Sequence, residues 1–288
     1  MYRSAAEWCA AKKKRILLLG MSGLGKTHVS NMLRASGNWF HYSIDYRIGT
    51  RYMGELITDS FKKKAMKVPY LRDLLLSDSI YIASNITFDN LAPLSTYLGK
   101  PGDMSKGGLS FEEYLRRQEQ HRRAEIAALL DTPHFVDRAE EIYGYENFVC
   151  DSGGSICEVV DPDNPDDPVL KCLSETVLLC WIEESDAHCK NLIERFDRAP
   201  KPMYYEPEFL KLKWTQYLDQ NGQSENEVDP DEFVRWTYAE ALAHRHPRYE
   251  SISKWGIKVH AQDVATLKTA SDFENLVARA LEQRGKDT

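Results

Sequence analysis

The chain has 288 residues, 42% hydrophobic and 28% charged, with a net charge of −7. That balance is globular, and its acidity argues against a general nucleic-acid partner, which needs a basic face. No apolar run approaches the ~18 residues of a membrane span, and the opening "MYRSAAEWCAAKKKR" holds no apolar core of export-signal length. A cytoplasmic protein with no membrane partner is expected. None of the six cysteines forms a C-x-x-C pair, so buried reduced thiols are expected.

In chain order, "RILLLG" (15–20) reads as a first buried strand, and "THVSNMLRAS" as the helix after it, ending near Gly37. "WFHYSID" (39–45) reads as a second strand. The segment 53–141 is mostly helical in pattern, interrupted by the glycine-rich turn 98–108 and closed by the strong helix candidate "FEEYLRRQEQHRRAEIAALL". "NFVCD" (147–151) and "TVLLCWIE" (176–183) are a third and fourth strand, and "GIKVHA" (256–261) a short fifth. The acidic loop "DPDNPDDP" (161–168) lacks the glycine and distal glutamate of a calcium loop. "DQNGQSENEVDPDE" (219–232) is polar and reads as a mobile loop. "SDFENLVARALEQR" closes the chain as an amphipathic helix. Apolar strands alternating with helices predict an α/β fold. Its form is a doubly wound, mostly parallel five-stranded sheet in one domain over 1–288, with a helical insertion at about 53–141.

Gly20-Met-Ser-Gly-Leu-Gly25-Lys26-Thr27 satisfies G-x-x-x-x-G-K-[ST] in full, between an apolar strand and a helix. The glycines bring backbone N–H groups onto phosphate oxygens, and the following helix aims its positive end there. Gly20, Ser22, Gly23, Leu24, Gly25, Lys26, Thr27 and His28 are therefore the expected nucleotide contacts. Lys26 reaches the β- and γ-phosphates and Thr27 offers its hydroxyl to Mg²⁺. ATP and Mg²⁺ are the expected cofactors.

Beyond this loop the sequence resembles the shikimate-kinase-like branch of the P-loop small-molecule kinases. "FHYSIDYRIG" looks like the family's strand-two motif, with Asp45 in the place of the acceptor-facing aspartate. The family's preceding metal-associated aspartate falls on Ser43. "LRRQE" (115–119) is similar to F-R-x-x-E, which makes Arg116 the substrate-anion arginine, and "RRAE" (122–125) is a competing match. "FVCDSGGS" (148–155) resembles the strand ending in a glycine cluster beneath the substrate, with Gly153 and Gly154 in that role. "ERFDRAPKPMYY" (194–205) is similar to the arginine-bearing lid, so the resemblance implies a mobile lid at about 190–235. Lys201 stands at the position of its R-P-L-L arginine, and Arg195 and Arg198 are candidates for the other, with Arg195 expected on the nucleotide and Arg198 and Lys201 on the transferring phosphoryl group. "HRHPRYESIS" looks like the family's terminal R-x-P-x-Y helix. The resemblance implies phosphoryl transfer from ATP to a small-molecule acceptor by a monomer or homodimer.

Elementary chemistry points to the same roles. A kinase aligns an acceptor hydroxyl with the γ-phosphorus and neutralises the moving charge. Asp45 at a strand end can orient or deprotonate that hydroxyl, or can simply cap a helix. Arg47 and Arg51 face either substrate or solvent. Asp151 ends an apolar strand, where a carboxylate holds Mg²⁺ through water or forms a turn. Gly153 and Gly154 permit close approach to a ligand or a tight turn. Arg195, Arg198 and Lys201 either stabilise transition-state charge on closure or pair on the surface. The arginines make the acceptor a hydroxylated, anionic metabolite. The rival reading is a P-loop ATPase or nucleotide-dependent regulator that contacts a protein partner through the helical insertion.

Overall fold

The computed structural model describes residues 2–287. In chain order the elements are α1 (Ala5–Ala10), β1 (Arg15–Leu19), α2 (Lys26–Ala35), β2 (Trp39–Ser43), α3 (Ile44–Arg47), a π-helical turn (Ile48–Tyr52), α4 (Gly54–Ala65), α5 (Pro69–Leu76) and α6 (Ala92–Leu98). They continue with α7 (Phe111–Leu130), α8 (Thr132–Glu141), β3 (Asn147–Asp151), α9 (Ile156–Val159), α10 (Pro168–Thr176), β4 (Leu178–Glu183) and α11 (Asp186–Arg198). The last are α12 (Pro207–Asn221), α13 (Pro230–Ser253), β5 (Ile257–His260), α14 (Ala261–Val264) and α15 (Ala270–Asp287).

The chain divides into two compact units, one of residues 1–44, 126–199 and 235–288, the other of 45–125 and 200–234. The first carries a five-stranded sheet in the order β2-β3-β1-β4-β5. Every pairing is parallel. This is an α/β architecture around an all-parallel five-stranded sheet. β1 and β4 are unbroken apolar runs because a central parallel strand is covered on both faces. β5 alternates buried and exposed residues, as an edge strand does. α1 is pinned by Trp8, fully buried, whose indole N–H donates to the Glu274 carbonyl at 3.0 Å.

β2 is shorter than its apolar run. It stops at Ser43, and Ile44–Arg47 is already helical, which puts Asp45 in a first helical turn instead of at a strand end. Helical pairing of the backbone continues directly into the π-turn, where the Met53 N–H donates to the Ile48 carbonyl.

In the second unit an aromatic cluster joins distant segments: Phe111 stacks on Trp214 at 4.7 Å, and Trp214 meets Phe233 edge-on at 4.9 Å. Gln118 ties down the 203–205 segment with both ends of its amide, donating to the Met203 carbonyl and accepting from the Tyr205 N–H. The 219–232 stretch departs from its polar appearance. Ser224 and Glu227 form a reciprocal capping box around a short 3₁₀ turn. Val228 is fully buried, and its carbonyl accepts from the Asp103 N–H at 2.8 Å. Composition alone misses such anchoring, because one buried valine and two caps offset a run of exposed polar residues.

Hydrogen exchange tests this local order. The Asp103 amide should exchange at least ~10²-fold slower than an unstructured amide, since it opens only with the Val228 contact. Exchange at the free-chain rate would restore the mobile-loop reading.

Candidate functional site

β1 ends at Leu19, and the next residue already needs glycine. Gly20 has φ of 140°, and a β-carbon on it would stand 2.7 Å from the Ile182 carbonyl oxygen of β4. Gly23 has φ of 91°, and a β-carbon there would meet the Arg195 guanidinium and come within 3.1 Å of Leu192 Cδ2. The sequence-predicted lid residue Arg195 is thus placed directly against the phosphate loop. Gly25 caps α2, and Lys26 opens it. Lys26 is buried, and its Nζ donates to the carbonyls of Gly20 at 2.6 Å and Met21 at 2.9 Å. The ammonium is therefore held inside the loop by backbone oxygens. Leu24 packs inward, while Ser22, Thr27 and His28 are exposed.

β1 lies between β3 and β4. The chain leaves β1 for β2 on one side and leaves β3 for β4 on the other, so the connections diverge between β1 and β3. Open α/β sheets bind ligands beyond the carboxyl ends of strands at such a point. The loops after β1 and β3 meet there: a β-carbon on Gly154 would lie 3.2 Å from the Ser22 backbone nitrogen. Gly153 is buried in the same loop. Asp151, buried at the end of β3, has its Oδ2 3.2 Å from His41 Nε2. Its register partner on β2 is Ser43.

These residues fit a nucleotide with a divalent cation. The glycines leave the loop backbone open, Lys26 supplies positive charge, and the Thr27 hydroxyl and Asp151 carboxylate are the oxygens that would meet a cation. Among the described residues no group of three or more His, Cys, Asp and Glu side chains is arranged to hold a metal. A cation here would complete its shell with phosphate and water oxygens, as Mg²⁺ commonly does.

A network that sequence reading did not find supports the loop after β3. Glu158 and Arg245 form a buried ion pair at 2.7 Å. Burial opposes the Arg245 charge, yet the Glu158 carboxylate beside it raises the guanidinium above its ordinary pKa. Arg248 donates to the carbonyls of Cys157 at 2.6 Å and Val160 at 3.1 Å. Burial pushes the Cys157 thiol up, so it stays protonated. Tyr249, fully buried, stacks on Trp181 of β4 at 6.3 Å. The R-x-P-x-Y pattern was the available signal; its partner Glu158 carries no motif of its own.

The remaining predicted residues are distributed as follows. Arg198, at the end of α11, is 81% exposed and 4.0 Å from Glu194. Asp45, Arg47, Arg116 and Lys201 belong to the second unit. Arg47 lies over the Tyr52 ring at 5.5 Å. Arg116 donates twice to Glu113, at 2.7 and 2.8 Å. The first of these bonds, from Arg116, leads in holding the Glu113 carboxyl at about 2. Its guanidinium is thus engaged on the helix surface. Arg122, the competing match, is half-buried and makes no hydrogen bond or ion pair among the described residues. Lys201 is exposed.

Asp45 lies three residues before the start of the π-turn, a deviation that often marks functional sites. Gly49 in that turn packs on Ile86, and Tyr46 on Phe88 at 4.7 Å, which seats the 83–88 loop. Between that loop and α4 lies a polar cleft of about 570 Å³, lined by Thr50, Glu55, Thr58, Asp59, Lys62 and Asn85 among others. Its size is that of small-molecule sites.

No family model matches the sequence, and no curated protein matches it. Among solved structures, the shikimate kinase of Bacteroides thetaiotaomicron is similar over 94% of this chain and 98% of that one, with TM-score 0.39 and 16% identity. A likeness of that size says nothing of substrate or activity.

Removing one partner of the buried pair leaves the other charged and unpaired. Arg245→Met should cost about 3–5 kcal/mol in urea unfolding, and adding Glu158→Leu should restore part of it. A loss below ~1 kcal/mol for the single variant would show that the pair does not hold this segment.

Proposed function

We propose that the protein is an ATP- and Mg²⁺-dependent phosphotransferase that moves the γ-phosphoryl group to a hydroxyl of a small metabolite. Both compact units then belong to one kinase-like domain. The observation that carries the reading is the complete phosphate loop at the end of the central strand, with Lys26 held inside it and Arg195 against Gly23. Bound Mg-ATP would supply the phosphoryl group and a neutralising cation. Gly20 to Thr27 would cradle the phosphates, with Ser22, Leu24 and His28 completing the contact. Asp151 would hold the cation through water. Asp45 would orient the acceptor hydroxyl and take its proton, and Gly153 and Gly154 would let the acceptor approach the backbone. Arg198 and Lys201 would add transition-state charge. An anionic group on the acceptor would be met by Arg47 and by Arg116 or Arg122, of which Arg122 has the uncommitted guanidinium.

One observation favours a second reading, a nucleotide-dependent regulator acting on a protein partner. α5 buries none of its residues. Tyr70 is 73% and Leu76 70% exposed, and Tyr81 beyond it is 88% exposed. Exposed apolar groups in such proximity mark interaction surfaces. Among the described residues no helix is long and apolar enough to cross a membrane, so they are not explained by a span.

ATP consumption across a panel of hydroxylated metabolites separates the two. Turnover that depends on one acceptor class supports the kinase; equal turnover in every well supports the regulator. Lys26→Ala should abolish turnover with the fold intact, because the β–γ cation is lost.

Asp45→Asn should leave ATP affinity nearly unchanged and lower acceptor-dependent turnover by roughly 10²–10⁴. Collapse of ATP affinity in that variant would move Asp45 to the nucleotide side.

A further inference from the structure

α13 reaches both segments that flank the phosphate loop. Toward β3 it holds Glu158 and two carbonyls through Arg245 and Arg248. Between those arginines stands His246, and it turns the other way. His246 Nδ1 lies 2.9 Å from Glu184 Oε1, and its ring meets Trp181 of β4 at 5.6 Å. Glu184 follows the last residue of β4, next to the β1 strand on that side. Its side chain is 1% exposed, that of His246 44%. An ionised carboxylate only accepts, so Nδ1 carries the proton of this bond.

Glu184 is an expensive residue to bury. Its Oε2 is enclosed with no hydrogen-bond partner among the described residues. A half-satisfied buried carboxylate calls for a reason beyond packing. The chain supplies one immediately downstream. Ser185 caps α11, accepting from the His188 N–H. α11 then carries Leu192 and Arg195, the two side chains that lie against Gly23. The His246 bond therefore fixes the root of the helix whose next turns deliver a guanidinium to the phosphate loop.

We infer that Glu184 and His246 are a positioning pair that seats α11, and with it Arg195, on the phosphate loop. The inference rests on the nucleotide reading above. Arg195 and Leu192, not this pair, lie against Gly23, so both residues act through Arg195. α13 then serves as one brace for the two loops on either side of β1, through its arginines on the β3 side and its histidine on the β4 side.

Calorimetric titration with ATP tests the pair. The proteins are wild type, Arg195→Ala, Glu184→Leu, the double variant and Glu184→Gln, each with its fold checked by circular dichroism. Arg195→Ala should weaken ATP binding about tenfold, the size of one charge-assisted hydrogen bond. Glu184→Leu should weaken it to a similar degree by unseating the same arginine. The double variant should then be no more than about twofold worse than either single one, because residues acting as one unit are not additive. Glu184→Gln keeps an oxygen for the Nδ1 proton and should bind within about twofold of wild type. A purely structural role would not produce this coupling to Arg195. Losses that multiply to about a hundredfold, wild-type binding by Glu184→Leu, or a Gln variant as weak as the Leu variant would each overturn the pair's role. If Glu184→Leu does not fold, His246→Ala takes its place from the half-exposed side, with the same expected coupling. Failure of the wild type to bind ATP would instead overturn the nucleotide reading, and the inference with it.

Discussion

Gly20 approaches β4 so closely that no side chain fits between them. A β-carbon would stand 2.7 Å from the Ile182 carbonyl oxygen. That approach lets the chain leave the middle of a parallel sheet and turn at once into a tight loop. The positive φ required there is open to glycine and strained for other residues. The buried seat of Lys26 and the start of α2 both lie within six residues of this crossing. Much of what the first unit offers a ligand descends from it.

Such a loop needs support on both flanks, since its own residues are small. On one side Gly154 lies against Ser22, and the segment behind it is gripped by Arg245 and Arg248. On the other, Leu192 and Arg195 lie against Gly23. Burying Glu158, Arg245 and Glu184 around one loop costs free energy that a hydrocarbon core would not. Paired buried charges contribute little net stability, but their geometry is narrow.

The second unit is assembled differently. Its segments are joined by aromatic contacts and by Gln118, whose amide fixes backbone from 203 to 205. Its polar cleft and its exposed α5 are built on helices and loops. Chemistry that varies among proteins with one core fold commonly sits on such added segments.

The sequence by itself determined the sheet, the glycine turn after β1 and the helix that follows, because each rests on local physics: unbroken apolar runs for covered strands, glycines where φ must be positive, and an amphipathic period for the closing helix. It also pointed to Asp151 at the end of β3, since an acid closing an apolar run is visible without neighbours. What only the tertiary structure decided depends on partners far away in the chain. Asp45 lies in a helix because backbone pairing of β2 ends at Ser43, although the apolar run continues. The 219–232 segment is anchored because Val228 finds a buried place beside residues 102 and 103. Arg116 is occupied by Glu113 while Arg122 is not, a choice of rotamer and neighbour that two similar R-x-x-E patterns leave open. Glu158 meets Arg245 across 87 residues, and Glu184 meets His246 across 62. No local pattern marks a carboxylate whose partner arrives only when a distant helix packs beside it.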